Sequence, residues 1–338
     1  MNNMMLIRSF SLIVFVVGVT TLLIVGSGDR LGEDGSIPYT WSTDFPNTDF
    51  SQHTVPLKEF RGGGPRRDII PAIDAPVFAA SDRADLTPLE PVIGLTLNGQ
   101  ARAYPLSVLI WHEIVNDVVG GVPVAVTFCP LTNSFAVYDR RVGDQVLDFG
   151  VSGVLRFSDL ILYDRQTESW WQHHTGEGVV GPMAGTSLKA IPARMESLAA
   201  FTARAPDGRV LIAPQDKGER VYGENPYPGY DSMTKPPIYE GELPTGITPL
   251  ARVVAVGGEA WALDLLQAKG RLQAGDMELT WTPGQLSALD ADVMAQSRDV
   301  GNVTARHRVG STWEDAIYDV PFAFAFHAFH PQGALHVQ

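Results

Sequence analysis

The run HEIVNDVVGGVPVAVTF, residues 112–128, constrains the fold of this chain more than any other stretch. Two β-rich runs flank Gly120-Gly121, and glycine reaches the positive φ that a two-residue hairpin turn demands. With a two-residue turn, Val119 faces Val122, Asn116 faces Ala125, and His112 faces Cys129. A slip of one residue would turn every side chain to the opposite face. The only cysteine of the chain is therefore expected beside an imidazole, which in its charged form lowers a thiol pKa into the reactive range.

The same punctuation recurs along the chain. Its 338 residues include 33 glycines and 24 prolines, which divide it into many short strands. PVIGLTLNGQARAYPL predicts a hairpin about Asn98-Gly99, and PLSVLIW a short helix with Pro105 in its first turn. Further strands are expected at SFAVYDRR, VLDFGVSGV and LILYDR. MESLAAFTARAP reads as a helix stopped by Pro206-Asp207-Gly208. ENPYPGYDSMTKPP connects the halves, and PFAFAFHAFHP, with alternating Phe322, Phe324 and Phe326, reads as a strand with one aromatic face. LTLNGQARAYPL (95–106) lines up with VAVGGEAWALDL (254–265). After it, GDMELTWTPGQLSALD repeats the strand–corner–strand order of GVPVAVTFCPLTNSFAVYD. A duplicated β-unit over residues 90–215 and 246–331 is therefore expected. The fold class is α+β, predominantly β, with antiparallel hairpin-rich sheets and a few short helices.

Composition narrows the partners. A net charge of −13 disfavours nucleic acid, whose phosphates need clustered lysine and arginine. The short basic cluster of Arg61, Arg66 and Arg67 reads as a solvated loop. Residues 9–28 carry no charge and read either as a cleaved signal peptide or as an N-terminal membrane anchor. Arg8 before them and acidic residues after them place the remaining chain outside the cytoplasm, secreted or membrane-anchored. Residues 29–67 read as a linker and wrapping arm. One cysteine excludes an internal disulfide framework and a four-cysteine zinc site.

PAIDAPVF, EPVIGLTLNGQARAYPL, WHEIVNDVVGGVPVAVTFCPLTNS, FGVSGVL, SDLILYDRQTESWW and TGE together resemble the DUF3179 family of uncharacterised bacterial and archaeal proteins, over residues 68–331. The resemblance implies no particular activity. It does imply a departure, because the family usually reads C-P-L-C-N and this chain has Thr132 at the second cysteine position. That replacement removes two-thiol redox chemistry. His173 and His174 stand where the family commonly carries glutamine, which argues against an inherited ligand role and for surface histidines.

The candidate chemistry gathers at the FCPLTNS corner. Cys129 and His112 are the candidate catalytic pair. Glu113, Asn116, Thr132, Asn133, Ser134, Trp170 and Trp171 are candidate ligand-binding residues. His112 and Glu113 point to opposite faces of a strand unless the helix-to-strand junction falls between them. An alternative uses Cys129 and His112, with His173 or His174, as ligands for copper or zinc. A third reading is a non-catalytic cell-surface module, in which these residues and the Asp–Arg pairs of YDRR and YDRQ fix strand corners.

Overall fold

A computed structural model describes residues 29–215 and 220–338. The expected signal peptide or anchor, residues 1–28, lies outside the described residues. Among the described residues no helix is long and apolar enough to cross a membrane.

The arm at residues 29–67 is part of the folded body. It contributes helix α1 (Tyr39–Asp44) and strand β1 (Phe60–Gly62). Trp41, Phe45, Phe50 and Phe60 meet the ring of Trp170 edge-on at centroid distances of 5.2 to 5.4 Å, the arrangement that aromatic quadrupoles favour. The basic cluster is only partly a solvated loop, since Arg66 is exposed but Arg61 and Arg67 are not. Arg61 is buried and donates to the Ile238 carbonyl at 2.7 Å. The Arg67 guanidinium lies 4.3 Å above the Tyr163 ring and 2.7 Å from Glu168. Its carboxylate and ring partners come from segments distant in sequence, which local composition does not reveal.

The first unit opens with β2 (Pro91–Leu97) and β3 (Gln100–Pro105), turned at Asn98-Gly99. Helix α2 (Leu106–His112) follows, then β4 (Ile114–Val119), β5 (Val122–Cys129) and β6 (Ser134–Asp139). The β4–β5 hairpin has the expected register, with Val119 opposite Val122 and Asn116 opposite Ala125. Gly120 and Gly121 hold φ of 56° and 80°. A Cβ on Gly120 would sit 2.3 Å from the Leu97 carbonyl oxygen, so this turn also packs against the first hairpin. Next come β7 (Phe149–Arg156), β8 (Asp159–Asp164) and β9 (Trp170–Gln172), in one sheet with β1. Helix α3 (Leu198–Arg204) is capped by the Ser197 side chain, as Ser at that position favours.

The second unit repeats the element order. Strands β10 (Val253–Val256) and β11 (Glu259–Ala262) form a hairpin, helix α4 (Leu263–Lys269) follows, and β12 (Arg271–Ala274) and β13 (Met277–Thr282) form another. Both helices have seven residues. The units diverge after that. β5 turns at once into β6, whereas β13 pairs with β14 (Asn302–Val309) only after the excursion over 283–301. The small sheets stand in a propeller-like arrangement, and with 38% strand and 15% helix among the described residues the fold is α+β and predominantly β.

PFAFAFHAFHP departs from expectation. It forms helix α5 (Ala323–Phe329) rather than a strand. Phe322, Phe326 and Phe329 also fall at helical spacing, and over so short a run the two periods cannot be separated. Ala323 and Ala325 are buried together with Phe322, Phe324 and Phe326, so the segment is enclosed on more than the single aromatic face expected of a strand.

Candidate functional site

The site is set by how α2 ends. The Glu113 N–H donates to the Leu109 carbonyl at 2.7 Å, and Glu113 itself takes the left-handed conformation, φ 59°. The corresponding helix end of the second unit has Gly270, φ 68°, the residue that reaches this region without a Cβ clash. The left-handed residue reverses the direction of the chain between helix and strand. The β4–β5 pairing therefore stops at Ile114–Thr127, and beyond it Phe128 N donates to the Glu113 carbonyl at 2.9 Å.

His112 consequently does not face Cys129, which corrects the expected pairing. Its Nδ1 donates to the Pro71 carbonyl at 2.7 Å and its Nε2 meets the Tyr222 hydroxyl at 2.8 Å. Its ring lies parallel to that of Tyr222. Both ring nitrogens of His112 are thus engaged by Pro71 and Tyr222. Among the described residues no group of three or more His, Cys, Asp or Glu side chains could hold a metal ion.

Glu113 takes the place expected of His112. Its side chain interacts electrostatically with Cys129, Asp159 and His173. Cys129 is buried, with Sγ 3.8 Å from the Ser158 carbonyl. Burial, then the charge of Asp159, then that of Glu113 push its thiol well above the ordinary range, against the opposing Thr132 hydroxyl and N–H. The resting sulfur is a neutral thiol, hence a poor nucleophile.

Asp159, at the start of β8, is the hub. It accepts from Thr132 Oγ1 at 3.0 Å, Gln172 Nε2 at 2.7 Å, the His174 N–H at 3.0 Å and His173 Nδ1 at 3.1 Å. Burial alone would raise its pKa, but the charge and hydrogen bond of His173 outweigh burial and hold it low. For His173 burial lowers the pKa, and the charge of Asp159 reverses this. The two form an ion pair with both side chains fully buried. His173 Nε2 is buried with no hydrogen-bond partner.

Glu113 sits beside this pair with its proton held. Burial raises its pKa to about 8; His173 opposes the rise and Asp159 adds to it. Its carboxyl has no hydrogen-bond partner among the described residues. It lines a cavity of about 70 Å³ whose other walls include Ile70, Leu131, Leu160, Tyr227 and Ile238. A larger cleft of about 690 Å³ shares Pro65, Ile70, Pro226 and Tyr227 with that cavity. The site thus offers a protonated carboxyl at one end of an apolar hole, backed by a buried ion pair with an unused nitrogen.

The remaining sequence candidates have other work. Asn116 donates to Asp74 and to the Phe149 carbonyl, each at 2.8 Å, and accepts from the Phe149 N–H, tying β4 to β7. Asn133, at φ 52°, donates to the Val320 carbonyl at 2.7 Å. Ser134 bonds Asp319 and His174. Trp170 fills its aromatic cage, and Trp171 donates to Asp164 at 2.9 Å beneath Phe149. Both are fully buried. His173 is buried and the His174 side chain is only slightly exposed, against the surface reading. Of the two Tyr-Asp-Arg signatures, Asp139 bonds Arg141 and Asp164 bonds Thr167, while Arg165 reaches Asp74.

Sequence reasoning missed Asp159, and it read His173 as a surface residue or an alternative metal ligand rather than as the partner of Asp159. An aspartate opening a strand looks like a turn residue, and its partner lies on the next strand's far end. The one available signal was the placement of Asp159 and His173 just outside the apolar runs LILY and WW. A family model described as a protein of unknown function (DUF3179) matches residues 67–333. No curated protein and no solved structure matches the chain.

Proposed function

We propose that this chain, which belongs to the DUF3179 family, binds a small, mostly apolar molecule in the cavity at Glu113. Glu113 presents a protonated carboxyl, which donates a hydrogen bond to a carbonyl or similar acceptor on the ligand. One observation carries the reading. A carboxyl is buried without a partner, on a left-handed backbone, at a helix end that Gly270 completes in the second unit without either cost. Strained backbone and an unpaired buried acid are both unfavourable to folding, and such features gather at functional positions. The neutral Cys129 thiol favours binding over nucleophilic catalysis. The uncharged run 9–28 and the acidic residues after it support a place outside the cytoplasm, on or near the membrane.

The test is ligand-observed NMR with a panel of small apolar fragments, with and without a carbonyl. Carbonyl fragments should bind the wild type and lose roughly tenfold in affinity to Glu113→Leu, the worth of about one hydrogen bond. Equal binding to both proteins, or no preference for the carbonyl, would sink the proposal.

A further inference from the structure

The two adjacent histidines serve different cavities. His173 interacts electrostatically with Glu113, whereas His174 lines a separate cleft of about 320 Å³ between the first and second units. The two cavities have no lining residue in common.

The hydrogen bonds of this cleft determine where its protons are. Asp319 accepts from the Phe135 N–H at 2.9 Å, the Val320 N–H at 2.7 Å and the Ser134 hydroxyl. The carboxylate takes the single Ser134 proton. The 3.3 Å contact between Ser134 Oγ and His174 Nδ1 then requires the imidazole to donate. Its proton sits on Nδ1, and Nε2 keeps a lone pair. The ring cannot turn freely, because it stacks on Phe329 with centroids 4.5 Å apart and planes 14° apart. The His174 side chain is only 6% exposed, and Nε2 has no partner among the described residues. Burial lowers the pKa to about 4, so the imidazole is neutral at physiological pH.

We propose that this cleft is a second ligand site, taking a small molecule with a hydroxyl or ammonium donor on an aromatic or apolar body. The donor meets His174 Nε2. Phe135, Ile191 and Tyr318 line the space for the body. An anion is disfavoured twice, since Nε2 offers no proton and the Asp319 carboxylate lies 3.8 Å from the other ring nitrogen.

Phenol, benzylamine and benzoate share one ring and differ in the head group, so they separate the possibilities. With ¹⁵N-labelled protein, long-range ¹H–¹⁵N correlation reads the His174 nitrogens directly. Phenol or benzylamine should shift Nε2 while leaving the Nδ1 proton in place, and benzoate should not bind. His174→Phe keeps an aromatic ring on Phe329 and should weaken phenol and benzylamine by roughly tenfold or more. Should that variant fail to fold, the wild-type titration decides alone. An unmoved Nε2 under all three probes, or benzoate binding as well as phenol, overturns the proposal. Either result leaves the Glu113 reading intact, because the cavities are separate.

Discussion

Glu113 combines two unfavourable features in one residue. Its backbone is held at φ 59°, where a Cβ is disfavoured by roughly 1–2 kcal/mol. Its carboxyl is largely buried at the wall of the cavity with no hydrogen-bond partner among the described residues, which favours the neutral form. The second feature has a measurable consequence. The carboxyl loses its proton at an ordinary 4.5 when unfolded and at about 8 when folded. Between those values the native state holds a proton that the unfolded state has released. Stability therefore falls as pH rises through this window, at up to about 1.4 kcal/mol per pH unit from this group. Asp319, whose folded pKa burial raises to about 6, adds a slope of the same sign at the lower end. Urea midpoints of wild type and Glu113→Gln, measured from pH 5 to 8, should diverge steadily in favour of the variant. Parallel curves would show that Glu113 is solvated.

At the scale of elements, the hairpins were legible and the junctions between them were not. A two-residue glycine turn and alternating side chains are local, so the β4–β5 register could be read directly from HEIVNDVVGGVPVAVTF. The same hairpin supplies a test of turn against packing. Gly120 and Gly121 both have positive φ, but only at Gly120 would a Cβ strike backbone, 2.3 Å from the Leu97 oxygen; at Gly121 it meets open space. Gly121→Ala should cost the left-handed strain alone, roughly 1 kcal/mol. Gly120→Ala should cost about 1–3 kcal/mol more, the range for overpacking, in urea denaturation. Equal losses would mean that the turn does not bear on the first hairpin. Helix α5 marks the limit of pattern reading, because alternating phenylalanines and a helical Phe322, Phe326, Phe329 stripe coexist in one sequence.

At the scale of the whole molecule, residues 29–62 complete the sheet of β7, β8 and β9 rather than tether it. Strand β1 pairs with β7, and four rings of the arm enclose Trp170. Deleting residues 1–28 should leave Trp170 buried and unfolding cooperative. Deleting residues 1–62 should shift tryptophan emission to the red and broaden the urea transition. An unchanged spectrum would make the arm dispensable. The sequence by itself determined the β-rich class, the positions of the hairpins and of α2 and α3, and the repeated hairpin–helix–hairpin order. Each of these rests on turn chemistry, capping and periodicity within a dozen neighbouring residues. Only the tertiary structure decided the site. A single left-handed residue exchanged His112 for Glu113 beside Cys129. Asp159 and His173 became an ion pair because the strands that carry them fold back together, burying both where each charge needs the other.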